Sequence, residues 1–135
     1  MGFAAILGSD WFVGHWIEEH QTYQIAIKEL FPIVLALEIW GPILANKKIL
    51  FFSDNMAVVE IINKQSSKDK TLMRLIRRLV LCALQYNIVF RAKHIAGKLN
   101  VIADKLSRFK FQEAKKVAPW LKLQPTNIPS HLNYI

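Results

Sequence analysis

Three carboxylates stand where their chemistry could be used. Glu29 lies in a long apolar stretch, Asp54 follows the apolar run ILFF at 49–52, and Asp104 follows a histidine, His94, by ten positions. Carboxylates are hard, acceptor-only oxygen ligands suited to Mg2+, and clustered acids can hold two ions that activate a water and stabilise a leaving phosphate oxygen. Singly, each has a plainer use: Glu29 as a solvated helix acid, Asp54 as a helix N-cap, Asp104 as a first-turn acid favoured by the helix dipole. Which use prevails depends on the elements that carry them.

GFAAIL (2–7) and FVGHWI (12–17) flank Gly8, Ser9 and Asp10 and read as a β-hairpin. From Ile27 to Trp40 the apolar residues recur at helical spacing, with Pro32 near the start and Gly41-Pro42 as the stop. ILFF suits a buried strand, and Ser53-Asp54-Asn55 suits the cap of a helix over 56–63. Residues 65–70 are polar and read as a loop. Thr71 to Tyr86 forms an amphipathic helix with Leu72, Leu75, Ile76, Leu79 and Ala83 inward and Arg74, Arg77 and Arg78 on the other side. IVFRAKHI (88–95) alternates as a strand does, and Asn100 can cap a short helix carrying Ala103, Asp104 and Leu106. After Arg108 the pattern weakens, and Pro119, Pro125 and Pro129 mark an extended tail. The reading is one α/β domain over 1–108, helices covering a mixed sheet, with a Pro-containing tail over 109–135.

The net charge of +8 is unevenly placed: residues 1–60 hold three Lys/Arg against seven Asp/Glu, a net of −4, and residues 61–135 hold fifteen against three, a net of +12. A basic half of this kind is the usual footprint of a polyanion, because neutralising phosphates releases condensed counterions. The single cysteine, Cys82, excludes a disulfide framework and a Cys-rich zinc module, reads as a small buried hydrophobe, and fits a reducing intracellular compartment, cytoplasmic or nuclear. No apolar run reaches the roughly 18 residues that span a bilayer, and no secretory signal opens the chain, so a soluble protein is expected.

Taken together, these residues form the pattern E…(S)DN…H-x-x-G-x-x-N-x-x-x-D-x-L-S-R, which resembles the ribonuclease H domain of retroelement reverse transcriptases. HIAGKLNVIADKLSR (94–108) is similar to that domain's final signature, and KELFPIVLALEIWG (28–41) with ILFFSDN (49–55) resembles its first helix and following strand. The tail FQEAKKVAPWLKLQPTNIPSHL is similar to that of animal elements of the tyrosine-recombinase-encoding, DIRS-like group. The resemblance implies a ribonuclease H-like mixed sheet with flanking helices, and an endoribonuclease that cuts the RNA strand of RNA·DNA hybrids by two-metal hydrolysis. It implies two Mg2+ or Mn2+ ions in the complete domain, held by Glu29, Asp54 and Asp104. It gives His94 an assisting role in catalysis or product release, Gly97 the loop and Asn100 the cap. Arg74, Arg77, Arg78, Arg91, Lys93 and Asn55 are the implied nucleic-acid contacts, and a reverse transcriptase domain is the implied neighbour.

One departure from that family matters. Its members begin with a strand carrying the first catalytic aspartate, commonly in a T-D-A-S context, and this strand is central to the sheet. Here MGFAAILG already resembles the second strand. Asp10 does not take the role over, because it falls in the hairpin turn, at the far end from the acids. The chain by itself is therefore expected to be inactive as a nuclease. A non-catalytic nucleic-acid-binding remnant of a retroelement is the competing reading, and a purely structural domain would leave the +12 half without a use.

Overall fold

A computed structural model describes residues 2–97 and 100–135, and it is mixed α/β with five helices and two small sheets. Strand β1 (Gly2–Leu7) pairs antiparallel with β2 (Asp10–His15) across a Gly8-Ser9 turn. Gly8 has φ +61°, the positive value a tight hairpin turn of this hand asks of its first central residue. Neither strand alternates apolar with polar because both of its faces are covered. Phe3 and Phe12 join Trp16 in the main core, while Trp11, with Ala4, Ile6 and Val13 around it, joins a second cluster built on Leu106, Ala114, Ala118 and Leu121.

Helix α1 (Ile25–Leu44) is longer than its sequence suggested. It runs through Gly41-Pro42, the expected stop, and Pro32 lies well inside it. A proline in a helix interior costs about 3 kcal/mol, yet Leu30, Phe31, Val34, Leu35 and Leu37 are all fully buried, and burial of each is worth about 1.5–3 kcal/mol. Packing therefore outweighs the two local breaks. Gly41 is a close-approach position instead of a stop, since a Cβ there would lie 2.6 Å from the Tyr86 ring.

Beyond α1 come β3 (Lys48–Ser53), α2 (Met56–Lys64), α3 (Lys70–Gln85) and β4 (Val89–His94). Strands β3 and β4 are parallel, in register from Lys48 opposite Val89 to Ser53 opposite His94, as a crossover through two helices allows. Asn55 caps α2 by accepting the Val58 N–H at 3.1 Å, and Asp69 caps α3 by accepting the Leu72 N–H at 2.9 Å. The apolar face of α3, with Leu75, Ile76 and Leu79 fully buried, packs on α1. Cys82 lies in this core, where burial pushes its thiol up to about 11, so it is an inert packing group as expected.

Helix α4 (Val101–Ser107) lies against β1, and it packs on α5 (Phe111–Val117), a helix in what was expected to be an extended tail. The prolines did not signal this order because it comes from long-range contacts. The Lys122 and Thr126 N–H groups donate to the carbonyls of Ser9 and Trp11, and the Trp11 indole donates to the Lys122 carbonyl at 2.7 Å. Further on, Ile128, Leu132 and Ile135 pack on the main core.

The two sheets do not join: among the described residues β1 pairs only with β2, and β3 only with β4. Bare strand edges are templates for pairing, and this fold treats its edges unequally. The tail covers the start of β2, Thr126 donating to the Trp11 carbonyl and Lys122 to the Ser9 carbonyl of the preceding turn. Asn63 covers β4, donating to the Ala92 carbonyl at 2.9 Å and accepting its N–H at 2.8 Å as a neighbouring strand would. Among the described residues the edges of β1 and β3 receive no such cover. They face each other across a slot of about 250 Å³, lined by Ala4–Leu7, by 49–53, and by Ile33 and Ala36 of α1.

Arg78 departs from its expected place among nucleic-acid contacts. Its guanidinium holds both oxygens of Glu38, at 2.6 and 3.3 Å, donates to the carbonyls of Leu132 and Tyr134, and lies over the Tyr134 ring at 4.2 Å. With 13% and 16% side-chain exposure the pair is largely dry. Arg78→Ala should thus release the end of the tail and strand Glu38, costing roughly 3 kcal/mol in thermal or urea unfolding. A loss below about 0.5 kcal/mol would mean that the latch carries no weight.

Candidate functional site

Glu29, Asp54 and Asp104 are far apart in the sequence and meet in space. They line one cleft of about 260 Å³, together with Trp16, Lys28, Asn100 and Ser107. Helix α1 contributes Glu29 from its second turn, α4 contributes Asp104, and Asp54 sits just beyond β3, the end of a strand being a usual place for a ligand. Because Asn55 is the cap of α2, the Asp54 carboxylate is left free of that duty. The cleft adjoins the slot between the sheets: Ala4, Glu29, Pro32, Asn100 and Ala103 line both.

Electrostatics links the three acids. Burial holds the Glu29 carboxyl above its ordinary range, and the charges of Asp54 and Asp104 push it further the same way. His94, the last residue of β4, points a ring nitrogen at the Asp54 carbonyl oxygen, 3.2 Å away. A side-chain carbon added at Gly97 would lie 3.5 Å from Asp54 Oδ2, so the signature loop reaches the site, although its residues 98 and 99 lie outside the described ones. The Asp104 carboxylate meets Arg108 at 3.2 Å, one helical turn on. Both are about half exposed, so this pair is worth less than about 1 kcal/mol and exchanges readily for a ligand. Asn100 occupies the N-cap position of α4 but makes no side-chain cap bond there, leaving its amide at the cleft.

Lys28 and Arg108 were not anticipated at the site. The signal for Arg108 was present, an acid and a base at i, i+4 within D-x-L-S-R, but a helix face had to be fixed to read it. Lys28 donates to the Gln21 carbonyl at 2.7 Å and adds a positive charge to an acidic cleft. Asp10 is elsewhere, paired at 2.7 Å with Lys122 of the tail.

As oxygen donors the three acids suit a hard divalent cation. Their spacing does not complete a site: among the described residues no three His, Cys, Asp or Glu side chains are drawn close enough to hold one ion. Arg74 and Arg77 are exposed on α3, and Arg91 and Lys93 are exposed on β4. Asn55, another expected nucleic-acid contact, spends its side-chain oxygen on the α2 cap. No helix among the described residues is long and apolar enough to cross a membrane. Compared with known protein families, curated proteins and solved structures, the chain finds no match.

The raised Glu29 pKa has a consequence for stability. Between its ordinary value of 4.5 and the higher folded value, the native state holds more protons than the unfolded one, so stability falls as pH rises through that window and stays lower above it. Glu29→Gln removes the buried charge and should raise Tm at pH ~7, with the gain shrinking as pH drops towards the ordinary value. An equal gain at all pH values would place the effect in packing instead of charge.

Proposed function

We propose that this chain carries most of an endoribonuclease domain that hydrolyses the RNA strand of RNA·DNA hybrids, within a retroelement reverse transcriptase of the DIRS-like group. The convergence of Glu29, Asp54 and Asp104 on one cleft carries this reading. A divalent cation held there would supply the Lewis acid for phosphodiester hydrolysis, with Mg2+ or Mn2+ the fitting ions. The chain's own residues do the rest. Glu29, already charge-stressed, gains most from a cation; Asp54 and Asp104 flank it; His94 is placed beside Asp54 to move a proton at the edge of the cleft.

In this reading the fourth carboxylate is an aspartate on a strand that enters the slot between β1 and β3 and reaches the cleft they share. Hybrid backbone is gathered by Arg74 and Arg77, through shape and 2′-OH contacts more than sequence. Reversing charge at Arg74 and Arg77 together should reduce the slope of log affinity against log salt by roughly two. An unchanged slope would remove α3 from the interface.

A second reading is a nucleic-acid-binding domain without catalysis, favoured by the absence of a closed metal group among the described residues and by the Arg108 pairing of Asp104. Mg2+-dependent release of RNA fragments from a hybrid, by the chain supplied with an aspartate-bearing strand, separates the two. Hybrid left intact by such a folded protein would support the second.

A further inference from the structure

The outward face of the β3–β4 sheet is built unlike the rest of the surface. The hairpin has α4, α5 and the tail on its outer face, whereas β3 and β4 show theirs to solvent. Lys48, Leu50 and Phe52 of β3 alternate outward, and so do Val89, Arg91 and Lys93 of β4. Leu50 is 49% exposed, Phe52 53% and Val89 59%, large values for apolar side chains on a sheet. The parallel register sets Lys48 beside Val89, Leu50 beside Arg91 and Phe52 beside Lys93. Every row thus holds one cation and one apolar side chain, and rows follow at roughly 6.6 Å, two residues of strand.

No acid lies on either strand, and none of the three cations has an ion-pair partner among the described residues. The patch therefore complements a polyanion that also offers flat apolar surface. Interface cores between proteins are poor in lysine, which argues against a protein partner. Duplexes keep their base faces stacked and hidden, whereas single strands present both phosphates and bases. We infer that this face binds single-stranded nucleic acid, with Lys48, Arg91 and Lys93 on the backbone and Phe52 as a stacking platform for a base.

Two residues beyond Phe52 on the same side of the chain comes Asp54, so the lane ends at the carboxylate cleft. If the hybrid-cleaving reading holds, the lane is where an unpaired strand flanking the hybrid would lie, and that part of the inference rests on that reading. Binding of a single strand to the face does not.

The test is fluorescence anisotropy of the full chain with a short labelled oligothymidine, beside a blunt RNA·DNA hybrid of the same length. Phe52→Ala should weaken oligothymidine binding about tenfold with the salt slope unchanged, and Phe52→Trp should restore it. Replacing Lys48, Arg91 and Lys93 by glutamine should reduce the slope by roughly two. All these side chains are exposed, and circular dichroism should stay unchanged in each variant. Hybrid binding should be nearly indifferent to Phe52→Ala. If Phe52→Ala and the glutamine variant each bind the single strand as tightly as the unsubstituted chain, the inference is overturned, whatever the hybrid does. If Phe52→Ala abolishes self-association of the chain and leaves oligothymidine binding intact, the face is a protein contact and the inference is likewise wrong. Loss of hybrid binding and cleavage with the single-strand results intact would sink the nuclease reading alone.

Discussion

Fused at its N-terminus to an apolar strand ending in aspartate, the chain is expected to unfold cooperatively, as a monomer, at a clearly higher temperature than the 135-residue chain alone. The grounds are the unequal treatment of its edges. Asn63 and the tail blunt the outer edges, while β1 and β3 face each other bare across a slot floored by Ile33 and Ala36. Backbone groups buried without partners cost about 1–3 kcal/mol each, and bare edges invite pairing with other chains. A strand in the slot satisfies both edges at once and covers the α1 floor. Even a net gain of about 3 kcal/mol would raise Tm by roughly 10 °C in a domain of this size. Sedimentation and thermal unfolding of the two proteins side by side measure this. Equal midpoints, with both proteins monomeric, would mean that the slot is not a strand site.

The larger effect concerns chemistry. Without a fourth carboxylate the chain should release little or no RNA from an RNA·DNA hybrid in Mg2+, because Glu29, Asp54 and Asp104 do not close on an ion by themselves. In the strand-completed protein, Asp54→Asn or Asp104→Asn should each cut the cleavage rate by at least about a hundredfold, the scale on which one preorganised charge contact is lost. Glu29→Gln should do the same while stabilising the fold at neutral pH, the opposite signs marking a group strained for its task. Rates that survive Asp54→Asn would move the chemistry to another site. Cleavage lost with Asp10→Asn instead would point to the hairpin, where Asp10 is paired with Lys122.

Much of this was legible in the sequence because local signals and packing agree. The hairpin, α2, α3 and β4 lie within a residue or two of their expected bounds, since Gly8, Asn55 and Asp69 do the turn and cap work their types suggest. The convergence of the three acids was expected only through resemblance; spacing alone could not bring α1, β3 and α4 to one cleft. What the sequence hid was set by distant contacts. Gly41-Pro42 reads as a stop, but burial on several sides carries α1 past it. Arg78 shares a helix with Arg74 and Arg77, and only the fold reveals that Glu38 and the tail carbonyls take it out of the basic surface. The tail, rich in proline, is ordered by bonds to Ser9 and Trp11, more than a hundred residues upstream.

The central claim is that Glu29, Asp54 and Asp104 form a nuclease site wanting one carboxylate, and one comparison tests it most directly. Two fusions carry the same N-terminal strand, one ending in aspartate and the other in asparagine, and each is assayed with Mg2+ on an RNA·DNA hybrid labelled on its RNA strand. Either strand is expected to fill the slot, so both fusions should melt above the unfused chain, the aspartate one no higher than the asparagine one when Mg2+ is left out, because a fourth charge joins the three acids. Only the aspartate fusion should release RNA fragments, leaving the DNA strand whole. Two folded fusions that cleave equally, or two that leave the RNA intact, would contradict the account.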